Sequence, residues 1–335
     1  MAKTMVEKFA HSSPSVDVVV PVYGNWAVTA SCLRHLEKQT YPHRVILVDD
    51  ASPDDTISRV RNDFPDVEIV EMGTNSGFAS ACNRGIWHGT ADVVILLNND
   101  VDAAPTLIEL LVSPFADDPL LGSTAPLLLR PDGSVDSFGI SADPTMAGFV
   151  RYHGASVENV SADSPLVLGP YGAAAAYRRA ALEEVGGLDE AIFMYGEELD
   201  LALRLRNAGW GVRAVPRARG VHVGGSTTGK DSPKQRYLAG FGRGYLLRVY
   251  GVGQSRFALR AFVTEAIVCV SRVAISRDLA SLKGRLSGWK AGRTSDKRHR
   301  PTDGIDPSIG FVRSLRMRSG RYWVEFRSAL ANKPS

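Results

Sequence analysis

Cysteine is scarce in this chain, and long apolar runs are missing. Only three cysteines occur, Cys32, Cys82 and Cys269, far apart and without a Cys-x-x-Cys pair. That excludes a disulfide-stapled secreted scaffold, argues against a zinc cage and suits a reducing cytoplasm. No stretch reaches the roughly 18 consecutive apolar residues that a membrane span needs. The most apolar late segment, 257–275, is broken by Arg260, Glu265 and Arg272 and reads as a helix within the protein. Residues 1–15 are polar and hold no apolar core of signal-peptide length. There is no repeat period that would announce a solenoid or an array.

What is present is ordinary in bulk and uneven in detail. A hydrophobic fraction of 44% and a charged fraction of 22% are those of a soluble globular protein. The 335 residues suffice for one catalytic domain with an appendage. A net charge of +3 conceals a basic end: residues 276–335 carry 14 Lys or Arg against 5 Asp or Glu. Such an end can face anionic lipid as a peripheral contact at the inner membrane face, or simply be solvated. It lacks the interleaved aromatic platforms of a nucleic-acid binder, so no nucleic-acid partner is expected.

Near-continuous β-branched runs at 16–20, 45–48, 67–70 and 93–97 read as strands covered on both faces. Helical stretches lie between them at 26–39, 56–64 and 76–88. This alternation implies an α/β protein with a doubly wound, mostly parallel sheet flanked by helices. Ligands bind beyond the carboxyl ends of the strands in such sheets. Polar residues gather there: Tyr23 after the first strand, Asp49 and Asp50 after the second, Asn98 to Asp102 after the fourth. Residues 122–170 read as loop-rich, with a turn at Pro131-Asp132-Gly133-Ser134. Helices are expected at 178–185, stopped by Gly186-Gly187, and at 197–208, and short strands at 212–215 and 220–223. Helices dominate after 232.

Four polar clusters each carry a chemical reading beside a structural one. Asp100, just past a buried strand, can hold Mg²⁺ or Mn²⁺ against phosphate oxygens, with Asp102 two residues on and able to face the same side; Asn-Asn-Asp is also an ordinary turn. Asp49 and Asp50 can accept from a nucleobase and a ribose hydroxyl, or help cap the helix that follows. Glu197, Glu198 and Asp200, with Asp189 nearby, form a cluster in which each acid raises the others' pKa, as suits a general base; acids also favour a helix N-terminus for its dipole alone. His222, between Val221 and Val223, is either a metal ligand at a strand end or a satisfied core histidine.

As a set, the motifs go further. They are Val-Val-Val-Pro-Val-Tyr-Gly at 18–24, Val-Asp-Asp-Ala-Ser at 48–52 and Asn-Ser-Gly-Phe-Ala-Ser-Ala-Cys-Asn-Arg-Gly at 75–85. Leu-Leu-Asn-Asn-Asp-Val at 96–101, Gly-Gly-Leu-Asp-Glu at 186–190 and Tyr-Gly-Glu-Glu-Leu-Asp-Leu-Ala-Leu-Arg at 195–204 complete them. Over about residues 16–250 the chain resembles the inverting glycosyltransferases of family 2, and within them the rhamnosyltransferase-like bacterial branch.

The resemblance implies a GT-A fold, Rossmann-like, with a mainly helical C-terminal region. Residues 1–15 would be a tail, and 16–232 the catalytic domain, with a donor half (16–125) and an acceptor half (126–232). A helical, basic region (233–335) would follow. Pro21, Val22 and Tyr23 would line the nucleobase pocket with Asp50, and Asp49 would lie nearby. Asn75, Gly77, Phe78 and Asn83 would shape the ribose and diphosphate site. Asn98-Asn99-Asp100 stands where the family carries its DxD motif, so Asp100 is the implied metal carboxylate and His222 a residue that can complete the shell around a divalent cation. Glu198 stands at the base position, where the family usually has aspartate; its extra methylene shifts its reach by about 1.5 Å, and Glu197 is second choice. The implied reaction is a metal-assisted single displacement onto a hydroxyl of a cell-surface glycan or polyprenyl-linked glycan. The donor would be dTDP-rhamnose first, or a UDP- or GDP-sugar, and a homodimer stays open. The rival readings are a nucleotidyltransferase, which Pro21-Val22-Tyr23-Gly24-Asn25-Trp26 disfavours by lacking a glycine-rich phosphate loop, and a non-catalytic nucleotide-sugar or glycan-binding protein.

Overall fold

A computed structural model describes residues 13–161, 167–224 and 232–318. Most of the expected N-terminal tail, the Gly225-Ser226-Thr227 stretch and the basic residues beyond 318 lie outside the described residues. The first half is four parallel strands in the order β3-β2-β1-β4: β1 (Val16–Val22), β2 (Arg44–Asp49), β3 (Glu68–Glu71) and β4 (Val93–Leu97). The crossovers are α1 (Trp26–Leu36), α2 (Thr56–Asp63) and α3 (Phe78–His88). Successive strand side chains feed opposite faces. Val18, Val20, Leu47 and Ile95 pack into one core layer, and Val19, Ile46, Val48, Val94 and Leu96 into the other. With both faces covered, most positions are apolar, which is why these strands read as runs; the buried exception, Asp17, is paired with Arg44 and Arg179. Each buried apolar side chain contributes about 1.5–3 kcal/mol.

Strand β1 runs past its expected end, with Pro21 opposite Val48 on β2. On its other side β4 pairs only with Val16 to Val19, so the missing N–H of Pro21 breaks no ladder there.

The second half turns the sheet mixed. Its elements are β5 (Val101–Ala103), α4 (Leu107–Val112), α5 (Pro114–Asp117), β6 (Leu121–Leu129), β7 (Val135–Ser137), β8 (Ile140–Ala142), β9 (Gly148–Val150), β10 (Ala174–Arg178), α6 (Arg179–Val185), α7 (Glu197–Asn207) and β11 (Gly211–His222). The sheet continues β4-β10-β6-β11-β5, with β7 on β6. Strand β10 is antiparallel to both neighbours, and β11 is parallel to β6 but antiparallel to β5.

One expectation is extended and one corrected here. Residues 122–170 are loop-rich, and they also carry most of β6 and all of β7 to β9. The two short strands expected at 212–215 and 220–223 are the single strand β11, bulged between Val215 and Arg219. Pro216 cannot donate to a ladder and sits in that bulge, and the polar Pro-Arg-Ala-Arg insert hides the continuity of the strand.

The C-terminal region is helical as expected: α8 (Pro233–Val249), α9 (Ala258–Ser276), α10 (Ala280–Ala291) and α11 (Phe311–Arg318). Among the described residues no helix is long and apolar enough to cross a membrane. Helices α8 and α10 meet through glycines at near-backbone contact. A Cβ on Gly244 would lie 2.0 Å from the Arg285 carbonyl, on Gly284 2.1 Å from that of Tyr237, and on Gly288 2.0 Å from that of Phe241. On another side of α8, a Cβ on Gly242 would lie 2.0 Å from the carbonyl of Tyr195, the residue two before Glu197. The helical region is thus pressed against the turn that launches α7.

Gly284→Leu is expected to lower the unfolding free energy by about 3 kcal/mol, because the side chain meets backbone that cannot rotate away. Gly73→Ala, where a methyl meets open space, should stay within about 0.5 kcal/mol. Urea denaturation of the two variants checks both.

Candidate active site

The end of β4 and the end of β11 converge although they lie far apart in sequence. Strand β5, which follows β4 directly, pairs antiparallel with β11 so that His222 stands opposite Val101. The Val223 N–H donates to the Asp100 carbonyl at 3.0 Å. This register sets His222 Nε2 3.3 Å from Asp100 Oδ1. His222 Nδ1 lies 2.8 Å from Asp136 Oδ2, and the Tyr171 ring stands edge-on to the imidazole at 6.5 Å. Burial alone would depress the His222 pKa, but the Asp100 and Asp136 carboxylates outweigh it and raise the group to about 9.

Asp136 was not among the expected site residues. It arrives on β7, which pairs with β6 after the 131–134 turn. The signal available in sequence was a polar residue between Val135 and Ser137 directly after a hairpin turn.

The acids open α7 beside the same cavity, about 200 Å³ in volume, whose lining includes Asn98, Asn99, Asp100, Glu197, Glu198 and His222. Tyr195 at φ 72° and Gly196 at φ 110° both adopt the left-handed region and aim the first turn of the helix inward. For a tyrosine that conformation is strained and is held by its surroundings, here Gly242 of α8.

The two glutamates differ. Glu197 is 4% exposed, and its Oε2 has no hydrogen-bond partner among the described residues. Burial, then the Glu198 charge, raises its pKa well above the usual carboxylate range. Glu198 is partly exposed, and its Oε2 accepts from the Gly196 N–H at 3.1 Å. Burial raises Glu198 as well, but backbone N–H groups at the helix start oppose it. Burial thus favours the protonated form more strongly at Glu197 than at Glu198.

A second cavity continues the cleft over the parallel half, sharing Pro21, Phe78, Asn99 and Met194 with the first and adding Val22, Tyr23, Asp50, Asn75 and Gly77. Both Asp50 oxygens accept backbone N–H groups, from Ser76 at 2.7 Å and Gly77 at 2.9 Å. Burial nevertheless leaves its pKa raised. Asp49 accepts from the Ser52 N–H at 3.0 Å and holds the turn behind this wall.

Three expectations are not met by the geometry. Asp102 does not face Asp100: its carboxylate accepts from Ser31 Oγ at 2.8 Å on α1, 3.3 Å from His35 Nδ1, because strand alternation from β5 sends it to the helix layer. Asn83 does not line the cleft. It is buried and clasps the 186–190 loop, donating to the Leu188 carbonyl at 2.9 Å and to Glu190 at 2.8 Å while accepting from the Leu188 N–H. Asp189 and Asp200 are not part of an acid pair for catalysis. Arg298 of the C-terminal region binds both, Tyr245 donates to Asp189 at 2.6 Å and Tyr250 to Asp200 at 2.9 Å.

Among the described residues, no three His, Cys, Asp or Glu side chains cluster to cage a metal ion. Asp100 and His222 come together, and the neighbouring Asn98 Oδ1 is buried without a hydrogen-bond partner among the described residues. A sparse, oxygen-rich donor set of this kind fits a hard divalent cation that takes its remaining ligands from phosphate and water.

A curled α/β sheet with carboxylates and a histidine at its strand ends, beside a deep acidic helix start, defines a glycosyltransferase of the GT-A architecture. Residues 17–186 match glycosyl transferase family 2, and residues 147–289 match glycosyl transferase family group 2. An N-acetylglucosaminyl-diphospho-decaprenol L-rhamnosyltransferase of Mycobacterium tuberculosis is 30% identical over 258 residues, covering 64% of this chain and 78% of the relative. A pre-mycofactocin glycosyltransferase of the same species is 31% identical over 225 residues, covering 63% of this chain and 44% of that protein. Among solved structures, the mannosyltransferase PcManGT of Pyrobaculum calidifontis, in complex with GDP-Man and Mn²⁺, superposes with a TM-score of 0.52 at 17% identity, covering 98% of this chain and 94% of that one. GalNAc-T7 with UDP, GalNAc and Mn²⁺ gives 0.54 at 15% identity, covering 82% and 55%. The chain belongs to glycosyltransferase family 2, in its rhamnosyltransferase-like branch.

The His222 titration has a thermodynamic consequence in the cation-free protein. Its folded pKa of about 9 lies above the ordinary 6.5, so its contribution to stability is complete below pH 6.5 and is lost as the pH rises through 9. Unfolding free energies measured in chelator across that range should fall with pH, and Asp136→Asn should flatten the slope.

Proposed function

We propose that this enzyme transfers L-rhamnose from dTDP-rhamnose, with inversion, to a hydroxyl of a diphosphate-linked lipid glycan. The observation that carries the chemistry is the placing of Glu198, a carboxylate held by a helix-start N–H, in one cavity with Asp100 and His222. The choice of sugar and acceptor rests on the mycobacterial relative alone.

In this reading the nucleotide lies along the cleft from Tyr23 and Asp50 to Asn99. A bound Mg²⁺ or Mn²⁺ would neutralise the diphosphate leaving group, and Asp100 with His222 are the residues to hold it. Asp136 keeps the Nδ1 proton of His222 and so presents Nε2 towards Asp100, the arrangement in which an outer carboxylate orients a ligating histidine. Glu198 takes the proton of the acceptor hydroxyl as that oxygen attacks the anomeric carbon opposite the nucleotide. Glu197, whose burial favours its protonated form, leaves Glu198 as the base in this reading. Gly172 keeps the approach to Glu198 narrow but open, since a Cβ there would sit 3.8 Å from the Glu198 side chain.

Glu198→Gln should lower kcat by roughly 10²–10⁴-fold while donor binding persists, and Asp100→Ala should abolish cation-dependent donor binding. Glu197→Gln should cost much less. Transfer assays, with thermal shift over a panel of nucleotide sugars with and without Mn²⁺, check all three; full activity in Glu198→Gln or Asp100→Ala would sink the assignment, and a larger shift with another donor would replace the rhamnose.

The same reading places the enzyme at the inner membrane face. Helix α9 leaves Leu259 78% and Val270 69% exposed, with Phe262, Val263 and Ile267 also in solvent, on a region rich in arginine and lysine. An apolar ridge with basic flanks suits peripheral contact with anionic lipid. Vesicles rich in phosphatidylglycerol should co-sediment the protein at low salt and release it at high salt, and absence of binding at low salt rejects the contact.

A further inference from the structure

Beside the catalytic cavity lies another, of about 410 Å³, whose lining holds Arg236, Arg243, Arg272, Arg285 and Arg318 and no carboxylate. It shares Tyr195 and Gln235 with the cavity of Glu198. A pocket that touches Glu198 directly also shares Tyr195 and Arg243 with it.

Five guanidinium groups therefore converge on one space. Glu265 alone serves three of the arginines, accepting from Arg243 at 2.7 Å, Arg285 at 2.8 Å and Arg318 at 2.7 Å. Arg236 pairs with Asp278. Asp143, the other nearby acid, is bound by Arg260 at 2.9 Å. Arg318 Nε and Nη2 are buried without a hydrogen-bond partner among the described residues. Holding guanidinium groups together and dry is costly unless an anion joins them. Their planar forks match phosphate oxygens, and the Glu265 carboxylate meets only Nη1 of Arg318. The cavity is also many times larger than the roughly 30 Å³ that one water occupies, so it has room for more than one phosphate. Helix α9 supplies Val268 and Arg272 to the lining while Ile267 and Val270 of the same helix stay exposed, so the cavity lies under the apolar ridge.

We infer that this arginine-lined cavity binds the diphosphate of the acceptor, fixing the lipid-linked substrate while its sugar hydroxyl reaches Glu198. The inference rests on the glycosyltransferase reading for the acceptor's role, but not for the binding of the anion itself. A diphosphate seated here links the site to the membrane: the sugar points to the base and the lipid leaves along α9.

The test uses the full chain in chelator, which silences cation-dependent donor binding, with inorganic pyrophosphate as the calorimetric probe. Pyrophosphate should bind, and Arg318→Gln and Arg272→Gln should each weaken it about tenfold, the loss of one charge-assisted contact. Asp100→Ala should leave that binding intact. Failure of pyrophosphate to bind, displacement by the donor's nucleoside diphosphate, or binding as tight in both arginine variants as in the unaltered chain overturns the site. An alkyl diphosphate that binds more tightly than pyrophosphate identifies a lipid-linked source, whereas equal binding identifies the diphosphate alone as what is held. In transfer assays, the preference in kcat/KM for a diphosphate-linked over a neutral alkyl-glycoside acceptor should fall about tenfold in either variant. Equal losses on both acceptors overturn the proposal, because they mark a structural effect. A chain that transfers no sugar at all would defeat the functional reading, and the calorimetry would still decide the cavity.

Discussion

The antiparallel ladder between β5 and β11 is the constraint on which the site depends. It is short, three residues on the β5 side, yet it brings the end of β11 against the Asp100 segment that directly follows β4. Because a strand's side chains alternate, the register that pairs His222 with Val101 puts the imidazole against Asp100, and a one-residue slip would carry it to the other face. The same alternation sends Asp102 to Ser31 on α1. One local pairing therefore separates the acid that faces the cavity from the acid that ties down a helix.

Around that ladder the protein spends polar groups on holding the cleft open. Asp50 engages two backbone N–H groups of the 76–77 turn, Asn83 clasps the loop before α7, and Asp136 fixes the histidine. Asp50 and Asn83 are buried and need their partners, and loss of one leaves a buried group unpaired at a cost of about 1–3 kcal/mol. The rigidity matters because a base and a leaving-group site must be held in line before the acceptor arrives.

The helical region is part of the active site and not an appendage to it. Arg298 binds Asp189 and Asp200 on either side of the catalytic turn, and Gly242 allows α8 to touch the Tyr195 carbonyl. The strained left-handed pair Tyr195 and Gly196 persists because it is clamped from both directions. Arginines of α8, α9, α10 and α11 then line a second space next to the base, under the one apolar ridge on α9. In the proposed reading, substrate handling on the acceptor side belongs to residues that contribute nothing to the parallel sheet.

The sequence by itself determined the parallel half, its strand-end polar residues and the family, because strands buried on both faces leave apolar runs and because the motifs occur in order over most of the chain. Asp100, Glu198 and His222 stood out for the same reason, and the fold brings them to one cavity. The remainder was decided by tertiary structure. Strand β10 hides in alanines whose weak strand propensity is overridden by its place between β4 and β6, and β11 hides behind Pro216. Asp136 and the arginines acquire meaning only from what they meet, since a charge has no sequence period to betray its partner. Asp189 and Asp200 show the converse: acids that read as chemistry became structure once Arg298, about a hundred residues downstream, was folded against them. Local pattern reports which face of an element is buried, whereas long-range pairing of polar groups is set by the fold alone.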